Sequence, residues 1–147
     1  MATELELALF AQELEEVRSL PVARRWILER DGDVPLGLFV TMHPISKPTE
    51  LYKARIRWTD YFGPFSLKFI NPATGADNEP LAWPRCYGFR PGSLDSCLPW
   101  TAEGHAIHPE WKNSLANAFP KVQAPMQHAL LRVQASLDEN YEGRGAQ

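Results

Sequence analysis

Apolar positions recur along this chain with two different periods, and the change from one to the other divides it into elements. Leu7, Phe10, Ala11, Leu14 and Val17 follow helical spacing, which predicts a helix over residues 3–20 with one apolar stripe. Thr3 and Glu6 form a capping-box pair at its start. Pro21 ends it, since a proline has no N–H to continue the ladder. Glu13, Glu15 and Glu16 fall mostly off the stripe and are expected to face solvent. Such a stripe needs a partner surface, and the following residues supply a sheet.

From Arg25 the period is two. Residues 25–30 place Trp26 and Leu28 on one face, and Asp31-Gly32-Asp33 makes a turn. Leu36, Leu38, Val40 and Met42 then alternate with Gly37, Phe39 and Thr41 as a second strand. After a loop through Pro44 and Pro48, Ala54, Ile56 and Trp58 alternate with Lys53, Arg55 and Arg57, the pattern of a half-buried strand. Residues 60–64 turn, and Phe65, Leu67 and Phe69 set a fourth strand over 65–70. A helix followed by a four-stranded antiparallel meander predicts an α+β domain with the helix on one sheet face.

The character changes at Asn71. Asn71-Pro72-Ala73-Thr74-Gly75 and Asn78-Glu79-Pro80 are turn formers, and the stretch up to Trp111 is a loop of roughly forty residues, uncommon inside a small domain unless it is functional or disordered. Trp83, Tyr87, Phe89, Trp100 and Trp111 give this arm the means to pack onto the body. A last helix begins near Pro125, allowed in a first helical turn, with Ala129, Leu130, Val133 and Leu137 as its stripe, widened by Leu131. Residues 142–145, Glu-Gly-Arg-Gly, are expected to end the order in a frayed tail. The chain has no internal repeats and reads as one domain, 1–147, with a core of about 3–140.

Composition narrows the function. The 147 residues are 44% hydrophobic and 22% charged, with a formal net charge of −3. That gives no basic field, so nucleic acid is not an expected partner. Lys53, Arg55 and Arg57 read as a solvated sheet face. No run of about eighteen apolar residues exists, so no membrane partner is expected, and the acidic N-terminus is wrong for a secretory signal. Two cysteines make no disulfide framework. The expected location is cytoplasmic.

The chemistry points to Cys97. It stands on the long arm between Asp95-Ser96 and Leu98-Pro99, a polar setting that favours an exposed nucleophilic thiol over a buried small hydrophobe. His105 and His108, eight and eleven residues later, are placed to polarise the thiol or stabilise a developing oxyanion; the alternative is two surface histidines. Cys86, Cys97, His105 and His108 together have the ligand types of tetrahedral zinc, but no Cys-x2-Cys knuckle is present, so neither a metal nor any other cofactor is expected. Cys86 is expected to pack beside Trp83 and Tyr87. The sequence holds no glycine-rich phosphate loop, no Ser-His-Asp context and no paired carboxylates.

The order helix, four-stranded meander, cysteine arm, helix resembles the ubiquitin-conjugating enzyme fold. Tyr61-Phe62-Gly63-Pro64-Phe65-Ser66-Leu67-Lys68-Phe69 is similar to that family's passage from third to fourth strand. Cys97-Leu98-Pro99-Trp100 and Trp111 are similar to its active-site cysteine and following tryptophan, and the helix 126–137 takes the place of the one after the active site. The likeness spans roughly residues 3–140. It implies that Cys97 accepts a ubiquitin-like modifier as a thioester from an activating enzyme and passes it to an amine on an acceptor protein. Asp95 is a further candidate to orient an attacking lysine amine, and the likeness implies that the first helix, with Glu6, Arg18 and Arg24, meets the activating enzyme. The family's His-Pro-Asn motif is missing near Cys86-Tyr87-Gly88-Phe89, and its two last helices are absent. His105 or His108 would then replace the Asn. Such departures resemble the divergent conjugating enzymes of bacterial ubiquitination-like operons. An inactive variant that only binds a modifier or partner is the alternative.

Overall fold

Thr3 starts the first helix as its residue type predicts. Its hydroxyl accepts the Glu6 N–H at 3.1 Å while the Glu6 carboxylate takes the Thr3 N–H at 3.0 Å, closing a capping box on α1, Glu4–Arg18. A computed structural model describes residues 1–146 of the chain. After a 3-10 turn over Pro21–Arg25 come β1 (Ile27–Arg30), β2 (Gly37–Met42), β3 (Tyr52–Trp58) and β4 (Phe65–Ile70). They form one antiparallel sheet in the order β1-β2-β3-β4. The long arm contains a two-strand hairpin, β5 (Phe89–Arg90) with β6 (Asp95–Ser96), and a short helix, α2 (Ala102–Ile107); α3 (Pro125–Glu139) completes the fold. The α+β class, the meander and the terminal helices match the periodicity.

The sheet has one apolar face and one charged face. Register sets Leu38 beside Ile56 and Ile56 beside Leu67, with Ala54 between Val40 and Phe69, and all of these are fully buried. On the opposite face Lys53, Arg55 and Arg57 pair with Glu29, Asp77 and Asp31 at 3.2, 3.0 and 2.8 Å. The apolar face is covered in two places. Phe10 of α1 lies edge-on to Trp58, and α1 packs against α3. Further along, Trp83 and Phe89 stand against Phe69, and Trp100 against Phe65. The arm is thus part of the core and not an insertion outside it.

Three expectations are corrected. The first strand begins at Ile27, not Arg25, because Pro21 favours a 3-10 turn that takes up Arg25; Trp26 is buried at the turn's end and donates to Gln134 Oε1 at 2.8 Å. Leu7 and Ala11 are exposed, and Glu13 replaces them in the buried stripe with Phe10, Leu14 and Val17. The residues expected to fray, 142–145, bond to the arm instead: Glu142 N–H donates to the Arg85 carbonyl, Arg85 N–H to Gly143 and Gly145 N–H to Trp83, at 2.7–2.8 Å. Arg144 lies over the Tyr52 ring and donates to the carbonyls of Leu81 and Leu51.

Glu13 is buried because two donors, one from a turn and one from another helix, converge on its carboxylate. Ala124, the residue preceding α3, offers no side-chain cap, which leaves N–H groups of the first turn open. Glu13 Oε2 accepts the Gln127 N–H at 3.0 Å, and Oε1 accepts the Tyr61 hydroxyl. One carboxyl therefore joins α1, the β3–β4 turn and the start of α3. Burial, with the Glu13 bond next, pushes the Tyr61 hydroxyl pKa far up, so the phenol stays protonated and remains a donor. Glu13→Ala leaves a part-buried N–H and a buried phenol unpaired and is expected to cost about 2–4 kcal/mol in urea unfolding. A loss below about 0.5 kcal/mol, the usual scale of a surface change, would contradict this role.

Candidate functional site

Cys97 follows β6 directly, and its position is held from both sides. Ser96 before it and Leu98 after it are buried at 0% and 7% exposure, while Cys97 itself is half-buried. Its N–H donates to the Gly88 carbonyl at 2.8 Å, which continues the β5–β6 pairing by one residue. Gly88 sits at φ +82°, and a Cβ there would strike the Leu98 side chain. The turn of this hairpin, Pro91-Gly92-Ser93-Leu94, puts Leu94 at φ +57°, a region costly for a branched side chain. Lys68 of β4 holds that residue by donating to its carbonyl at 2.8 Å.

The segment after Cys97 is fixed to the edge of the sheet. Thr101 bridges to Phe65 of β4 and caps α2: its hydroxyl accepts the Gly104 N–H at 3.1 Å and lies 2.8 Å from the Ser96 carbonyl as donor. Glu103 accepts the Leu67 N–H at 3.0 Å and the Ser66 hydroxyl at 2.5 Å. It thereby pairs a backbone group of an edge strand that would otherwise have no partner strand. Gly104 lets α2 approach the backbone of Leu98, where any Cβ would run into the Leu98 carbonyl and nitrogen. The sequence Glu103-Gly104-His105 is a docking device for the strand that carries Cys97.

The other predicted site residues are engaged. His105 Nε2 meets the Pro99 carbonyl at 2.6 Å, and because a carbonyl only accepts, Nε2 carries the proton. His108 stacks on Trp111 with ring centroids 4.3 Å apart, and its Nδ1 donates to Glu110 at 3.1 Å. Backbone and His108 contacts hold the Glu110 carboxyl below the usual range. Asp95 takes two bonds from Arg90, at 2.7 and 2.8 Å. No hydrogen bond joins the Cys97 thiol to either imidazole, and no group of three or more His, Cys, Asp and Glu side chains is gathered as metal ligands, among the described residues. The structure brings His105 to within two residues of Cys97 through Pro99, keeps Asp95 on the same hairpin, and gives His108 to Trp111.

Cys86 contrasts with Cys97. It is buried, and desolvation, with the charge of Glu142 second, pushes its thiol up to about 12. Sequence reasoning did not single out Arg90, Glu103 as an edge partner, or Lys68. The Pro91-Gly92 pair between Arg90 and Asp95 is a turn signal that would have placed those two opposite each other. Beyond Trp100 lies an open surface pocket of about 590 Å3 lined by Trp100, Phe119, His128 and Arg132 among others. Both ring nitrogens of His128 are buried without a partner among the described residues, and burial holds its pKa below the ordinary value.

Comparison with protein-family models, with curated proteins and with solved structures returns no match. The described residues include no helix long and apolar enough to cross a membrane.

Two outcomes follow from this geometry. Iodoacetamide at neutral pH should label Cys97 of the folded protein at least tenfold faster than Cys86, because so little of a thiol near pKa 12 is thiolate; peptide mapping by mass spectrometry reads the ratio, and equal labelling would refute the assignment. Gly104→Ala should lower the unfolding free energy by about 1–3 kcal/mol, as overpacked sites do, and should change the Cys97 labelling rate. An unchanged melting curve would mean that α2 does not press on Leu98.

Proposed function

We propose that this chain is a divergent member of the ubiquitin-conjugating enzyme type, carrying a ubiquitin-like modifier as a thioester on Cys97 and passing it to an amine. The observation that carries the proposal is the contrast between its thiols: Cys97 is half-buried on a hairpin whose neighbouring residues are buried, while Cys86 is sealed in the core. An acyl carrier needs a thiol that a protein-sized donor can reach on a backbone that does not move away. The order helix, meander, arm, helix supports the same reading. So does Tyr87, which is 78% exposed beside Gly88, the residue that pairs with Cys97, and offers an apolar contact to a modifier's extended tail.

The chemistry is transthioesterification. The Cys97 thiolate attacks the carbonyl carbon of a thioester on the activating enzyme, a C–S bond forms, and the donor's thiolate leaves. An acceptor amine then attacks the new thioester and Cys97 leaves as thiolate, the amine proton passing to solvent or a base. No oxidant or cofactor is consumed. With its Nε2 on the Pro99 carbonyl, His105 acts first by holding the strand next to Cys97, and its Nδ1 is the acceptor it has left for a proton.

A second reading, a binding module on the same fold, draws on one observation: no base is bonded to the Cys97 thiol. Incubation with a cognate activating enzyme, modifier and ATP, followed by a non-reducing gel, separates the two. The conjugating reading requires a reductant-sensitive adduct that is lost in Cys97→Ala and kept in Cys86→Ala. A charged activating enzyme with no adduct on this chain would leave the binding module.

A further inference from the structure

A thiolate that attacks a carbonyl creates negative charge on the carbonyl oxygen, and an acyl-transfer site needs a donor aimed at that charge. The imidazoles are committed elsewhere, so the neighbours of Cys97 on its own hairpin become the source to consider. Arg90 and Asp95 are directly opposed across β5 and β6, and Phe89 opposes Ser96. Side chains alternate faces along a strand. Phe89 and Ser96 turn inward, at 4% and 0% exposure, so Arg90, Asp95 and Cys97 share the outward face. The pairing of Cys97 N–H with Gly88 keeps that register through the cysteine.

Arg90 is built to hold a fixed position there. Its Nε and Nη2 both bond Asp95, and its side chain keeps 43% of its surface open. A guanidinium has five N–H donors in a planar fork; two are used on Asp95, and Nη1 has no partner among the described residues. The bond to Asp95 is the first cause of a raised Arg90 pKa, so the guanidinium stays charged on the face it shares with Cys97.

We propose that Arg90, oriented by Asp95, supplies the N–H donors that receive the carbonyl oxygen when Cys97 attacks an acyl group. This rests on the reading of Cys97 as the acyl-accepting thiol. In the step, the thiolate electron pair forms the new C–S bond, the carbonyl π pair moves to oxygen beside Arg90, and collapse expels the leaving thiolate. Asp95 is then a positioning residue: its carboxylate holds a cation and is not free to orient an amine.

The test compares two reactions of the same thiol in protein carrying Cys86→Ala, so that Cys97 is the sole cysteine. Phenyl thioacetate acylates it through an oxyanion; iodoacetamide alkylates it by displacement with none. Rates are read by intact mass after acid quench, with circular dichroism to confirm folding. Arg90→Gln should lower the ratio of acylation to alkylation about tenfold, less than an enclosed donor gives because solvent screens an exposed cation. Arg90→Lys should restore part of the ratio, and Asp95→Asn should lower it severalfold while leaving Arg90 in place. A ratio unchanged in all three, whether the two rates hold or fall together, overturns the assignment. Failure of the wild-type chain to take a modifier from a charged activating enzyme would remove the functional reading instead, and leaves this ratio intact as a measure of Arg90.

Discussion

The free edge of β4 is the constraint on which the rest of the site depends. β4 is last in its sheet and has a partner only on the β3 side. Its outward N–H and C=O groups must still be satisfied. The chain meets that need with its own arm, Thr101 bridging Phe65 and Glu103 taking the Leu67 N–H, and the Lys68 side chain adds a bond from the strand to the Leu94 carbonyl. Cys97 lies between these attachments. The residues that cover an edge strand are the same ones that present a thiol, so the arm has little freedom to move while the fold is intact.

The apolar face reinforces the arrangement from beneath. Phe65 and Phe69 of β4 each meet an aromatic residue of the arm, Trp100 and Trp83 respectively, and burial of such rings contributes several kcal/mol in a domain of this size. At the other end of the face, the Glu13 carboxyl takes bonds from the Tyr61 hydroxyl and the Gln127 backbone. The tail at Arg144 spans Leu51 and Leu81 across Tyr52, which ties the entry of the arm to the start of β3. The arm's order thus comes from long-range contacts, with little regular secondary structure of its own.

That distribution explains what could be read from the residues alone. The strands were clear because Ala54, Ile56 and Trp58 alternate against Lys53, Arg55 and Arg57, and only one face of the sheet is covered. The terminal helices were clear from their stripes and from the Thr3–Glu6 box. Glu13 was misplaced because a carboxyl's burial depends on donors far away in sequence, here Tyr61 and Gln127. α2 is six residues long with a glycine inside, too short to show a period. The tail looked frayed because Glu-Gly-Arg-Gly has no local reason to order; its partners are carbonyls some sixty residues earlier and more. In the site, the polar residue types around Cys97 suggested an exposed thiol, whereas the residue is half-buried between a buried Ser96 and a buried Leu98. The partner of His105 was invisible, since it depends on how α2 folds back, whereas the Pro91-Gly92 turn did hold a signal for the Arg90–Asp95 pair.

A thioester on Cys97 is the claim that everything functional here leans on. Its most direct measurement is the intact mass of the chain after reaction with modifier, activating enzyme and ATP, followed by peptide mapping. The account predicts one added modifier less one water, removed by hydroxylamine at neutral pH and mapped to the peptide containing Cys97. A hydroxylamine-resistant adduct on a lysine alone, or an unshifted mass while the activating enzyme is charged, would contradict it.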